Sequence, residues 1–391
     1  MKTSLHLGLV ACCLAVLVVP AVATVTPLWP QRPIAGAVEE AARPRLEAAA
    51  LLSEAYQRAF ATWFEQRYGA RPAAVRLDNS LSYWLFGDAR PEKRVRVGRD
   101  RVLFLDEQLY FYNGAHRPDA AAWAARAARA QALLRARGKE LVVILLPSKA
   151  MVWEDALPPG WVTPLPIPRP CEVNVARAFP RALAEAGVTF VDGHAELRDL
   201  ARRDRGAVYP RVGRHLTAAA ACLVLDRALE LARPRLTNKT IPPLDCSFEM
   251  RPGASLDDEE VDLWRLLEVW GGLPTSPFPH MREVRETVPR AARPDTLVVG
   301  SSFGRKLVGE ALRNKALGQT HFYYYNRTFV DRDADVEYPL EHGSPQWRAT
   351  TFEKDLYLLA VLEEYLPDDG KEFLEQVIAY LEEATPAAGA R

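Results

Sequence analysis

Residues 296–307 read TLVVGSSFGRKL, an apolar run that breaks at glycine and resumes with helical spacing, and Ser302 stands at the break. A serine in such a strand-to-helix turn points its hydroxyl out of the sheet, beside the backbone N–H groups of the helix start, which can hold an oxyanion. The chemistry on offer is nucleophilic attack on an acyl carbon. The same string also describes an ordinary turn with a serine cap, so the serine needs partners before it carries a function.

The first partner is a base, and histidine is the usual one near neutral pH. Past the N-terminal apolar segment the chain offers His116, His194, His215, His280, His321 and His342. His215 is the best placed, in the polar stretch YPRVGRHLT (209–217) ahead of a helix that Thr217 can cap. The expected third member is a carboxylate on the other imidazole nitrogen. No carboxylate stands beside His215 in sequence, and Asp192, at the end of an expected strand, is the first candidate. Gly300-x-Ser302-x-Gly304 also fits the nucleophile elbow of α/β-hydrolases, in which His321 or His342, downstream, would have to serve.

Ligands of open parallel sheets collect at the carboxyl ends of the strands. Lys149, Asp192, Ser302 and Asn326 all fall at such ends, and Lys149, Arg305 and Asn326 are the candidate substrate contacts. Taken singly, a lysine there is an ordinary loop charge and an aspartate an ordinary helix cap. Their convergence is what points to a site.

The elements that must position these residues follow an alternating rhythm. Residues 119–137 form an alanine-rich helix pattern, 141–146 a continuous apolar strand, 172–186 a helix, 188–191 a strand, 217–231 a helix, and 297–299 the strand before Ser302. Strand runs of this kind, with helices between them, predict a mostly parallel sheet covered on both faces, an α/β fold. Further elements are expected at 55–68 and 77–86 (aromatic-rich packing stretches), 95–112 (a small antiparallel element), 256–270 (an acidic amphipathic helix), 322–325, 356–362 and 371–381.

The chain has 391 residues, 49% of them hydrophobic, with 50 basic and 50 acidic side chains. That is ordinary globular composition, with no field of one sign to attract nucleic acid. At the N-terminus, Lys2, an apolar stretch from Leu7 to Val19 and the small-x-small pattern Ala21-Val-Ala23 read as an export signal, cleaved or kept as an anchor. The domain plan is thus a signal or anchor over 1–23, a Pro- and Ala-rich linker over 24–50, and one domain over 51–385. Cys171, Cys222 and Cys246 lie beyond the signal. Cys222 falls on an apolar helix face and is expected to be free and buried, which pairs Cys171 with Cys246. No spacing suggests a zinc site.

Several short motifs in a fixed order resemble one family. FEQRYG (64–69), SYWLFG (82–87), Val97-Gly98 with Val102 to Phe104, VVILLPSK (142–149), His215 before its helix, GSSFG (300–304) and the closing stretch 355–366 are similar to the SGNH-hydrolase-like O-acetyltransferases of bacterial exopolysaccharide synthesis, among them the alginate acetylation proteins AlgX and AlgJ. The resemblance implies a three-layer, flavodoxin-like sandwich in which the histidine block precedes the serine block. It implies Ser302 as nucleophile and His215 as base in acetyl transfer to sugar hydroxyls through an acetyl-serine, in the periplasm. It implies no cofactor and no metal. As partners it implies a polysaccharide acceptor, an inner-membrane acyltransferase of the MBOAT class as acetyl donor, and other exopolysaccharide export proteins.

The chain departs from the family pattern where Gly213 replaces the aspartate two residues before the histidine, Leu216 the tryptophan after it, and Ser301 the aspartate before the serine. Ala360 and Leu362 stand where the family often carries Glu and Asn. The loss at 213 removes the group expected to orient the imidazole. A catalytically impaired polysaccharide-binding or scaffold protein, or a carbohydrate esterase, therefore stands beside the transferase reading.

Overall fold

Three apolar strands, each buried along its whole length, set the architecture: β3 (ELVVILL), β7 (TLVVG) and β11 (LYLLAVL). A computed structural model of the chain describes residues 2–26, 34, 41–46, 54–89, 94–112, 119–158, 175–252, 258–272, 277–366 and 368–383. The described chain falls into two compact units, Met1–Val95 with Trp264–Leu273, and Arg96–Leu263 with Pro274–Arg391, where the sequence predicts one domain from residue 51.

Unit one holds α1 (Lys2–Val25), α2 (Glu54–Arg67) and α3 (Arg71–Leu81), which runs into a single wide turn of π-helix, Ser82–Phe86. The α1 helix carries the apolar stretch His6–Thr24, mean hydropathy 2.5, long enough to cross a membrane and consistent with an export signal. Most of the expected linker lies outside the described residues. The return segment of unit one is tied to α3 by Asn79, whose Nδ2 donates to Leu267 O at 2.8 Å, and by the Arg76–Glu268 ion pair at 2.7 Å.

In chain order the second unit runs β1 (Val95–Val97, which straddles the boundary), β2 (Leu103–Leu105), α4 (Asp106–Tyr112), α5 (Ala120–Arg135), β3 (Glu140–Leu146), α6 (Lys149–Val152), α7 (Val175–Glu185), β4 (Phe190–Asp192), α8 (Gly193–Arg203), α9 (Ala218–Ala232) and β5 (Phe248–Pro252). It continues with α10 (Asp262–Leu267, which crosses into unit one), β6 (Pro277–Met281), β7 (Thr296–Gly300), α11 (Ser302–Arg313), β8 (Thr320–Tyr324), β9 (Thr328–Asp331), β10 (Val336–Pro339), α12 (Pro345–Phe352), β11 (Leu356–Leu362) and α13 (Lys371–Glu383).

The seven-stranded sheet has the order β10-β9-β8-β7-β11-β3-β4. The strands from β8 to β4 are parallel, and β9 and β10 are antiparallel at one edge. The two-residue period of a strand separates its side chains cleanly between the faces. Val142, Ile144, Val298 and Leu358 pack with Leu225 of α9 and Leu307 of α11. Leu141, Val143, Leu297 and Leu359 pack with Leu134 of α5, Leu183 of α7 and Val377 of α13. Helices on both faces of a mostly parallel sheet make a three-layer α/β sandwich.

Two expectations fail. The acidic stretch at 256–270 is not one helix: among its described residues a 3-10 turn over Asp258–Val261 precedes the short α10. At the start of α10 the Asp262 Oδ1 accepts from Leu263 N at 2.7 Å and from Arg214 N at 2.7 Å, so this carboxylate turns back toward the 213–215 loop. The disulfide joins Cys222 to Cys246, with Cα atoms 5.5 Å apart, so Cys222 is not free. Residues 242–247 run past the α9 face that carries Cys222, a proximity that helical spacing cannot reveal; Cys171 lies outside the described residues.

Candidate active site

The fold brings Ser302 and His215 into contact. β7 delivers Ser302 to the first turn of α11, where the cap residue Ser301 makes no side-chain cap bond. Gly304 N–H is bonded back to Ser301 O at 2.9 Å, so the donors this turn keeps beside the Ser302 hydroxyl are the N–H groups of Ser302 and Phe303. Close packing forces the glycines here: a Cβ on Gly300 would meet Ala360 O at 2.7 Å, and one on Gly304 would meet the Phe322 ring at 2.7 Å. His215 Nε2 lies 2.8 Å from Ser302 Oγ, and the imidazole rests on Phe303 with centroids 4.9 Å apart. Tyr325, just past β8, lies near Ser302, and burial raises its phenol above the usual range.

The carboxylate at the far nitrogen is Asp262. Its Oδ2 is 3.0 Å from His215 Nδ1, a close contact in which the ring N–H is not aligned for a strict hydrogen bond. Its Oδ1 accepts from Arg214 N and Leu263 N, both at 2.7 Å, which fixes the carboxylate against the histidine loop. Gly213 now has a reason. A Cβ at 213 would meet Glu260 O at 2.2 Å, so the backbone of the segment that presents Asp262 fills the space a side chain at 213 would need.

Asp192, expected as the third member, does another job. Its carboxylate caps α8, accepting from His194 N at 3.0 Å and Ala195 N at 3.2 Å. Lys149 is likewise no surface contact for substrate: it is fully buried, and its Nζ donates to the carbonyls of Pro210, Arg211 and Gly213 at 2.8, 3.0 and 2.7 Å. It ties down the loop that carries His215, and burial lowers its ammonium pKa to about 7 against the opposing pull of Asp262 and Glu364. Arg305 stacks on Tyr324, its guanidinium carbon 4.3 Å from the ring centroid.

Asn326 lies on the wall of a cavity of about 870 Å³ at the carboxyl ends of β7, β8 and β11, together with Gly300, Tyr325, Glu364 and Asp369. Its Nδ2 donates to Gln376 at 3.0 Å, and its Oδ1 is buried without a hydrogen-bond partner. Glu364 accepts from Ser148 Oγ at 2.8 Å and faces Arg214 at 3.8 Å, and burial raises its pKa. Burial pushes the Asp369 carboxyl up to about 7, although its Oδ2 accepts from Leu362 N at 3.1 Å. The downstream histidines are spent elsewhere: His321 sits 3.5 Å from Asp331, and His342 Nε2 contacts the Asn326 carbonyl at 2.9 Å. Among the described residues no cluster of His, Cys, Asp and Glu could hold a metal ion.

Sequence reasoning missed Asp262. It is one acid in a run of acids, distant in sequence from both His215 and Ser302, and no local signal separates it from its neighbours.

Residues 95–315 match the family described as SGNH hydrolase-like domain, acetyltransferase AlgX. The chain belongs to this family. Among solved structures, the O-acetyltransferase domain of Pseudomonas putida AlgJ is similar at 20% identity, covering 74% of this chain and 99% of that one, with a TM-score of 0.42. Pseudomonas aeruginosa AlgX is similar at 15% identity over 76% of this chain and 68% of that one, TM-score 0.46. A DHHW family protein from Eubacterium siraeum follows at 12% identity over 66% and 88%, TM-score 0.39. No curated protein matches the sequence. Within this AlgX-type family the serine block follows the histidine block here, as the motif order predicts.

Proposed function

We propose that the chain is a working O-acetyltransferase that acylates Ser302 and passes the acetyl group to a hydroxyl of an exported bacterial polysaccharide. The observation that carries this reading is the Ser302–His215–Asp262 line, with contacts of 2.8 and 3.0 Å on the two imidazole nitrogens. Ser302 Oγ attacks the acetyl carbonyl carbon as its proton passes to His215 Nε2, and Asp262 offsets the charge that develops on the ring. The donor's leaving group departs with that proton. In the second half the acceptor hydroxyl loses its proton to Nε2 as its oxygen takes the acetyl carbon, and Ser302 Oγ leaves with that proton returned from Nε2. The helix-start N–H groups hold the oxyanion in both halves.

Asp262 answers the objection raised by Gly213, so the intact charge line favours turnover over an impaired scaffold. The cavity beside Gly300 and Tyr325 is large enough for a sugar acceptor. The N-terminal apolar helix supports export to the periplasm, where an acetyl donor delivered by an inner-membrane acyltransferase, together with other export proteins, would meet an alginate-like polymer.

The test is intact-mass detection of an acetyl adduct after incubation with an activated acetyl ester, followed by addition of oligosaccharide acceptors. An adduct that is absent from Ser302→Ala and His215→Ala and moves to a sugar supports transfer. An adduct lost only to water assigns an esterase, and no adduct assigns the scaffold.

A further inference from the structure

The α2 helix of unit one buries none of its 14 residues. Yet Tyr56, Phe60 and Phe64, with Tyr68 just past its end, recur at every fourth position and line one stripe, with successive centroids 6.1, 6.2 and 6.0 Å apart. Trp63 adds its ring 5.5 Å from Phe60. Phe60 and Phe64 remain 40% and 42% exposed, so among the described residues this apolar face has no cover. The end of α3 repeats the pattern: in the π-turn that follows it Trp84, Leu85 and Phe86 are 44%, 67% and 78% exposed.

The neighbour of the stripe at its Tyr68 end is the end of α1. Gly69, in the turn between α2 and α3, donates its N–H to Thr24 Oγ1 at 3.0 Å, and a Cβ on it would meet Ala23 O at 2.1 Å. The apolar stretch His6–Thr24 therefore ends where α2 and α3 meet. If a helix of that length spans a bilayer, its exit point lies at the foot of the aromatic stripe. The contacts of Ala23 and Thr24 with Gly69 also bridge the expected signal-cleavage bond, a fit that only an uncleaved chain retains. Arginines border the stripe: the guanidinium carbons of Arg43 and Arg67 each lie 5.4 Å from the Trp63 ring centroid. Aromatic rings edged by arginine are what the headgroup region of a bilayer accommodates.

We propose that the aromatic stripe of α2 and the Trp84–Phe86 tip lie in the interface of a lipid bilayer, seating unit one on the membrane with α1 as its anchor. Apolar rings leave water for the headgroup and acyl boundary while the arginines reach lipid phosphates. This seat is independent of the acyl chemistry, and its failure leaves that reading untouched.

The test uses the full-length chain in vesicles of phosphatidylcholine and phosphatidylglycerol. A polarity-sensitive fluorophore is placed by Phe60→Cys, Phe64→Cys, Leu85→Cys or the control Thr62→Cys, on the opposite side of α2, with Cys12, Cys13 and Cys171 changed to serine. Circular dichroism confirms folding, and co-flotation reports insertion of α1. The expected result is a blue shift and severalfold stronger quenching by nitroxide lipids at 60, 64 and 85 than at 62. Equal signals at all four positions, or failure of the chain to float, overturn the proposal. A shift without vesicles that grows with protein concentration overturns it in favour of a second copy, and one that needs an added protein overturns it in favour of a protein partner.

Discussion

Asp262→Asn is the substitution that examines the relocated acid most directly. The change keeps an oxygen for the N–H groups of Arg214 and Leu263 and removes only the charge opposite His215 Nδ1. Two unit charges 3.0 Å apart interact by about 5.5 kcal/mol at an effective dielectric of 20 and about 1.4 kcal/mol at that of water. The Asp262 side chain is 27% exposed, which places the working value between these limits, about 3 kcal/mol. That is about 10² in rate if the imidazolium is fully formed at the transition state. An amide N–H turned toward Nδ1 would also favour the tautomer whose Nε2 cannot accept the serine proton, an effect of about 10⁴ in serine proteases. The expectation is a fall of about 10²- to 10⁴-fold in the rate of Ser302 acylation, with no loss of fold. Pre-steady-state release of p-nitrophenol from p-nitrophenyl acetate, followed by intact mass, measures it. Adding Gly213→Asp, which restores the family's residue, brings no rescue, because Glu260 O occupies the space a Cβ would enter. Acylation of Asp262→Asn within about threefold of the parent would refute the reasoning, since so small a change leaves no room for the charge term. Rescue by Gly213→Asp would refute the account of Gly213.

Gly213→Ala touches no member of the triad, yet its Cβ must push back the segment that presents Asp262, so acylation should fall by about 10-fold or more while the thermal midpoint moves less than in a core truncation. Lys149→Met leaves the buried Gly213 carbonyl without its donor, whereas Arg211 O keeps the Leu103 N–H at 2.8 Å and Pro210 O the longer Gly213 N–H at 3.5 Å, so denaturant titration should show a loss of about 1–3 kcal/mol. Reducing or deleting the Cys222–Cys246 bridge opens a loop of sequence separation 24 and should cost about 3 kcal/mol on the chain-entropy estimate, read from the same titration with Cys222→Ala. Asp369 keeps its proton up to about pH 7 in the folded chain, whereas an unfolded aspartate loses it near pH 4. The folded state thus binds more protons across that window, so this group's stabilisation is present at low pH and is lost as pH rises from about 4 to about 7. Asp369→Asn should remove that decline from the stability profile, and an unchanged profile would contradict it.

How much of this protein could be read from its residues follows from the range over which each signal acts. The parallel strands were legible because an element buried on both faces must be a continuous apolar run, as in VVILL and TLVV, and the helices between them because their caps and periodicity are local. The pairing of Ser302 with His215 could be expected because each sits at a helix start, and because the family's motif order sets the histidine block before the serine block. Asp262 could not, since a helix start within an acidic run looks the same whether its carboxylate faces water or an imidazole. Asp192 and Lys149 were misread for a related reason: a polar residue after a strand is identical in sequence whether it caps a helix, holds a loop from beneath, or meets a substrate. The 222–246 disulfide likewise depends on where a loop returns in space. What the amino-acid order determined alone was the layered α/β scaffold, the serine turn and the histidine loop, through short-range periodicity and turn chemistry. Which carboxylate completes the charge line, which cation braces it and which sulfurs meet were decided by the tertiary structure, because burial and long-range contact assign a polar group its partner only once the chain has packed.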